Sequence, residues 1–242
     1  MSHTHLFFDL DHTLWDTDRN AEESLLELFE ELNLRKMGVP DFDSFHETYR
    51  NHNEKLWGLY AENKVGKEVV RTHRFRQTLF DFGIDNPEMT ELLSREFIVR
   101  TPRKPHLIEG ATELLDRLHG SYILAIITNG FPEAQHIKMK HSGLDKYFRQ
   151  VIVSEEVGVH KPDLQIFRHA MTLTGATLAE NCMMIGDTFQ TDVLGALNAG
   201  LTAVHFAPKN SEEVHASPVI TIRKLSELVL FLPDSKQSSG KL

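Results

Sequence analysis

Five short apolar runs suit strands buried on both faces: Leu6–Phe8, Tyr122–Thr128, Val151–Val153, Met183–Gly186 and Thr202–Ala207. Helix-period stretches separate the later runs, such as EGATELLDRLHG before the second and PDLQIFRHAMTLTG after the third. This alternation predicts an α/β fold, a parallel sheet with helices on both faces. One segment breaks the pattern. From Asp18 to Pro102 the chain carries helical spacing and no strand signal; AEESLLELFEELNL sets Ala21, Leu25, Leu28, Phe29 and Leu32 on one helical face. FDSFHETYRNHNEKLWGLYAE, KEVVRTHRFRQTLFDFG and MTELLSREFIVR continue in the same manner. The expectation is a separate small helical subdomain over residues 18–100, resting over the sheet's edge and inserted straight after the first strand. Residues 1–17 and 101–232 then form the α/β core, with TPRKPHLIEG as the return linker. TIRKLSELVLFL reads as a last helix, and the polar residues 233–242 as a mobile tail.

The chain has 242 residues, enough for one large domain with an insert. A hydrophobic fraction of 40% supports a packed core and argues against disorder. The net charge of −9 speaks against a nucleic-acid polymer or an anionic membrane as partner. A single cysteine, Cys182, excludes an intramolecular disulfide and fits a reducing compartment. Its setting in CMMIG makes it a buried structural thiol rather than a nucleophile. The N-terminal MSHTHLFFDLD is not a basic region followed by a long apolar segment, and no apolar run reaches 18 residues. The expected location is cytoplasmic.

The stretch FFDLDHTLWD ends its apolar run with two carboxylates one residue apart. In an extended chain alternate side chains share a face, about 6–7 Å apart. Two anions there repel by about 2–3 kcal/mol at an effective dielectric near 20. Something must offset that: a cation, a shared proton, or both. Several other strands end in polar residues too. Thr128, Asn129 and Gly130 follow the second run, and Lys161 stands downstream of the third in GVHKPD. Asp187 follows the fourth, with Asp192 five positions on in GDTFQTD. Parallel strands gather these ends at one edge, where ligands of open α/β sheets bind. Carboxylates, one lysine, a hydroxyl and loose glycine backbone suit phosphoryl transfer through a covalent aspartyl-phosphate. A divalent cation would offset nucleophile and phosphate together, and oxygen donors suit Mg²⁺.

This ordered set resembles the haloacid dehalogenase superfamily, in its phosphatase-type members with a helical cap between the first and second motifs. Asp9, Asp11 and Thr13 meet the Asp-x-Asp-x-Thr/Val pattern, Thr128 the second motif, Lys161 the third, and Gly186, Asp187 and Asp192 the fourth. The resemblance runs from about residue 5 to about residue 230. It implies a Rossmann-like core, Mg²⁺ as cofactor, a small phosphorylated substrate, and a monomer or homodimer. Asp9 is implied as nucleophile and metal ligand. Asp11 is implied as the acid for the leaving group and the base for water, its carbonyl on the metal. Asp187 completes the implied metal ligands. Thr128, Lys161 and the backbone of Asn129 and Gly130 hold the phosphoryl group, with Thr13 and Asp192 in support. A leaving alkoxide needs a proton and a leaving halide does not, so Asp11 favours a phosphatase over a haloacid dehalogenase. VGVHKPDLQIF and the cap look most like the 5′-nucleotidase branch. A phosphomutase or a sugar-phosphate or phosphoglycolate-type phosphatase shares the same layout, and a non-catalytic binding protein has little reason to keep both Asp9 and Asp11.

Substrate choice is expected to come from the cap, whose closure would exclude water. Phe45, Tyr49, Trp57, Tyr60 and Phe75 are candidates to stack on a base, against the plainer reading of cap core. Arg71, Arg74 and Arg76 form either a basic cluster at the phosphate entrance or a solvated helix face. The 14 histidines repeat no zinc spacing, and His12 and His160 flank the motifs where they are placed to tune the site. There is no GxxxxGK[ST] loop and no HExxH.

Overall fold

Strand β1 (His5–Phe8) is buried along its whole length, because its four residues have neighbours on both edges and both faces. This computed structural model describes residues 3–208 and 217–232. The other strands are β2 (Ile123–Thr128), β3 (Gln150–Val153), β4 (Cys182–Gly186), β5 (Thr202–Phe206) and β6 (Ile220–Ile222). All pair in parallel, in the order β3-β2-β1-β4-β5-β6. From β1 the chain runs outward through β2 and β3, then returns to β4 and runs the other way. The reversal falls between β1 and β4, which is the switch point of the sheet.

The strands have the period-two burial of a sheet covered on both sides. Leu6, Phe8, Ile126, Met183, Ile185 and Val204 enter one core cluster. Phe7, Ala125, Ile127, Met184 and Ala203 enter the opposite one. Helices α5 (Ala111–Leu118), α6 (Pro132–His141), α7 (Ser154–Val157), α8 (Leu164–Thr174) and α9 (Leu194–Asn198) accompany these strands. Cys182 is buried, its thiol within 3.5 Å of the Leu178 carbonyl, and burial pushes that thiol up to about 11. That fits an inert core residue.

The register places the polar strand ends. Phe8 pairs with Ile185 and with Ile126. One step on, Asp9 stands level with Gly186 and Ile127, and its N–H donates to the Ile185 carbonyl at 2.9 Å. The chain then turns tightly, with His12 in the left-handed region at φ 59°. Leu14 and Trp15 both donate to the Leu10 carbonyl.

The chain forms two compact units, Met1–Thr17 with Pro105–Leu242, and Asp18–Lys104. The second holds most of α1 (Thr17–Glu31), then α2 (Phe42–Ala61), α3 (Lys67–Asp81) and α4 (Pro87–Arg100). It runs past residue 100 because a 3₁₀ turn, Thr101–Arg103, continues α4. Lys104 then reaches back to Glu23 at 2.6 Å and Glu27 at 2.5 Å on α1. Asp41 and Asn86 cap α2 and α4 by accepting from Ser44 N and Met89 N. The core of this unit includes Leu25, Leu28, Phe29, Phe45, Tyr49, Phe75 and Phe97.

One expectation changes at this end of the chain. The last helix over Thr221–Leu232 is instead the end of β6 followed by a 3₁₀ helix, Leu225–Phe231. The apolar spacing that looked α-helical serves an edge strand and a short turn whose Ile222, Leu225 and Leu228 join the sheet's core. Residues 233–242, read as a tail, lie outside the described residues. Among the described residues no helix is long and apolar enough to cross a membrane.

Candidate active site

Lysine 161 is the hinge of the site. Its side chain is 2% exposed, and its ammonium lies 2.5 Å from Asp9 Oδ1 and 2.7 Å from Asp192 Oδ1. Burial alone would strip the proton from such a lysine, but the carboxylates of Asp192 and Asp9 more than reverse this and hold it charged. The backbone around Lys161 is fixed from the next strand end. Its N–H donates to Asn129 Oδ1 at 2.9 Å, and Asn129 Nδ2 donates to its carbonyl at 3.0 Å. The side chain of Asn129 is therefore spent on joining the loops after β2 and β3.

Asp192 is almost wholly buried and also accepts from Thr188 N at 3.1 Å. It reaches inward from a turn of π-helix, Phe189–Val193, at the end of β4. Gly186 gives it room: a Cβ there would sit 2.2 Å from Asp192 Oδ2. Asp187 accepts from Thr13 Oγ1 at 3.2 Å. Oxygens of Asp9, Asp187 and Asp192 all lie within 4.8 Å of one another. Three carboxylates then face one ammonium, an excess of two negative charges. The carboxyls register it. Burial pushes Asp9 well above the usual carboxylate range, against the pull of Lys161 and helped by the anions of Asp192, Asp187 and Asp11. Burial and Asp192 push Asp187 up to about 7. Hard oxygen donors with that excess fit a divalent cation such as Mg²⁺.

Asp11 lies outside this cluster, in a setting of its own. Lys138 Nζ sits 2.6 Å from its Oδ1, Gln135 Nε2 donates to its Oδ2 at 2.8 Å, and Thr17 Oγ1 donates to its Oδ1 at 3.0 Å. Burial would raise this carboxyl, but the charge and hydrogen bond of Lys138, with the bond from Gln135, outweigh burial and hold it at about 2. The repulsion read from the sequence is thus met first by two lysines, one for each aspartate. Lys138 is itself buried and lies 4.4 Å over the Trp15 ring.

Thr128, buried at the end of β2, accepts from Gly130 N at 3.0 Å and from Gln135 Nε2 at 2.6 Å. The structure therefore gathers Asp9, Asp11, Thr13, Thr128, Asn129, Gly130, Lys161, Asp187 and Asp192 at one end of the sheet. The sequence reading missed Gln135, Lys138 and Thr17. Gln135 and Lys138 share one face of α6, three residues apart, and a pair of polar residues at that spacing beside a strand end is the signal that would have found them. His160 pairs with Ser154 through Nδ1 at 2.9 Å, and burial lowers its pKa.

Within the helical unit, Phe45, Tyr49, Tyr60 and Phe75 are buried, and Trp57 packs edge-on to Tyr60. The three arginines form no common face. Arg74 is buried, 4.8 Å over the Phe97 ring and donating to Asn53 Oδ1, while Arg71 pairs with Glu68 at 2.9 Å and Arg76 is exposed.

The family model of the haloacid dehalogenase-like hydrolases matches residues 3–200. The chain is 30% identical over 225 residues to HAD-hydrolase YfnB of Bacillus subtilis, covering 92% of each. It is 29% identical to pyrimidine 5′-nucleotidase PynA of Streptococcus pneumoniae, over 95% of this chain and 94% of that one. It is also 29% identical to pyrimidine 5′-nucleotidase YjjG of Escherichia coli, over 92% and 95%. The magnesium-bound crystal structure of YfnB superposes with a TM-score of 0.84 at 28% identity, covering 96% of this chain and 99% of that one.

Proposed function

The chain belongs to the haloacid dehalogenase-like hydrolase family, and on that premise we propose that it is a Mg²⁺-dependent phosphomonoesterase acting through an aspartyl-phosphate on Asp9. One observation carries this reading. Asp9 stands where a phosphoryl group would meet a buried ammonium on Lys161, a hydroxyl on Thr128 and the anionic excess of Asp187 and Asp192.

Asp9 attacks phosphorus, the bond to the leaving oxygen breaks, and Asp11 gives that oxygen its proton. Water then attacks phosphorus while Asp11 takes a proton from it, releasing phosphate and restoring Asp9. As it stands in the structure Asp11 is a carboxylate, the form the second half-reaction needs. The first half needs it protonated, so the arriving phosphate has to change its surroundings. Lys161 and Thr128 hold the phosphoryl oxygens through both halves, with the backbone of Asn129 and Gly130 beside them. Asp9 and Asp187, with the Asp11 carbonyl, would hold Mg²⁺, which when bound neutralises nucleophile and phosphate together. Asp192 keeps Lys161 in place and Thr13 keeps Asp187 in place.

For the substrate we infer a nucleoside 5′-monophosphate, pyrimidine nucleotides first, because two relatives aligned over more than nine-tenths of this chain are named pyrimidine 5′-nucleotidases. The test is phosphate release with Mg²⁺ across nucleoside 5′-monophosphates, sugar phosphates and phosphoglycolate. Preference for pyrimidine nucleotides is expected. Turnover confined to sugar phosphates would overturn the substrate. Turnover that waits on a bisphosphate primer would turn the reading toward a phosphomutase.

Metal binding is expected to depend on pH with a definite sign. In the metal-free fold Asp187 keeps its proton up to about 7, so at pH 6 a cation has to displace it. Affinity for Mg²⁺ should rise at least about 10-fold between pH 6 and pH 8, the cation displacing the Asp187 proton. By the same linkage, without metal the raised carboxyl weakens the fold as pH climbs from about 4 to about 7. Thermal shifts with Mg²⁺ at the two pH values check both statements. A shift larger at pH 6 than at pH 8 would contradict them.

A further inference from the structure

Gln135 ties the two halves of the site together through one nitrogen. Its Nε2 donates to Asp11 Oδ2 at 2.8 Å and to Thr128 Oγ1 at 2.6 Å, and the residue is fully buried. Asp11 fixes which way the amide lies, since the carboxylate would repel Oε1 and takes only the N–H end. The orientation has a cost: Oε1 is buried with no hydrogen-bond donor among the described residues. Gly130 makes the approach possible, because a Cβ there would fall 1.9 Å from Nε2.

The consequence falls on Thr128. A threonine hydroxyl has two lone pairs and one proton to give. One lone pair takes Gly130 N–H and the other takes Gln135 N–H. The proton then has one use left, as a donor to something outside this loop. We propose that Gln135 is a positioning residue that sets the direction of the Thr128 O–H, turning it toward the phosphoryl oxygens. The polarity runs in sequence from the Lys138 ammonium to Asp11, to the Gln135 amide, to the Thr128 oxygen. This rests on the phosphatase reading above.

The experiment uses the full chain with Mg²⁺ and inorganic phosphate as the probe. Wild-type phosphate release, lost in Asp9→Asn, comes first; if it is absent, the phosphatase reading itself falls. Gln135→Met is then expected to raise the inhibition constant for phosphate about 10-fold and KM with it, with a smaller effect on kcat. Thr128→Val should do the same, and the double variant should be little worse than either single one, because both remove one interaction. Gln135→Glu keeps the shape should Gln135→Met not fold. It is expected to weaken phosphate as well, since its carboxylate accepts where the amide donated. An unchanged inhibition constant in a folded Gln135 variant, or additive losses in the double variant, would overturn the proposal.

Discussion

Replacing Asp9 by Asn is expected to cut phosphate release by at least about 10⁴-fold, with the fold intact. The amide has nearly the shape of the carboxylate but cannot attack phosphorus. Lys161 is not orphaned by the change, since it keeps Asp192 at 2.7 Å. The repulsion that burial and the neighbouring anions impose on Asp9 is relieved instead. Melting temperature should therefore stay level or rise while activity vanishes. Thermal melts beside phosphate-release assays check the pair of outcomes. Appreciable turnover by a well-folded Asp9→Asn protein would sink the covalent mechanism.

Lys161→Met should do the reverse, striking the fold as well as the activity. Removing the ammonium leaves Asp9, Asp187 and Asp192 within 4.8 Å of one another with no cation. Breaking a buried pair in this way costs about 3–5 kcal/mol. At about 2–4 °C per kcal/mol for a chain of this size, the melting temperature should fall by about 6–20 °C. Added Mg²⁺ should return part of the loss, because it meets the same excess charge. Calorimetry with and without Mg²⁺ measures both. A fall under about 2 °C would mean that Lys161 is not what holds these carboxylates together.

The sheet could be read from the sequence because buried parallel strands are short apolar runs, and the five such runs became β1 to β5 within a residue at each end. β6 was hidden for a physical reason. Three residues on an edge carry too short a pattern, and Ile222, Leu225 and Leu228 share a spacing that suits a helix equally well. Asp9, Asp11 and Asp187 could be found because each is a charge where a strand end needs none, and Lys161 because it completes the ordered set downstream of β3. Gln135 and Lys138 escaped because polar residues on a helix are ordinarily assigned to solvent. On α6 the face that turns inward carries the buried Gln135 and Lys138, which meet Asp11 and Thr128. The arginines of α3 misled for the opposite reason. At about 100° per residue, Arg74 and Arg76 point some 200° apart, so closeness in sequence put one in the core and the other in water.

The central claim is that Asp9 carries the phosphoryl group between substrate and water. A single turnover of a nucleoside 5′-monophosphate, quenched and reduced with borohydride, converts an acyl phosphate on an aspartate to a homoserine side chain. Peptide mass mapping should then find that change at Asp9 and at no other carboxylate. Turnover with no covalent adduct, or with the adduct on another residue, would contradict the account.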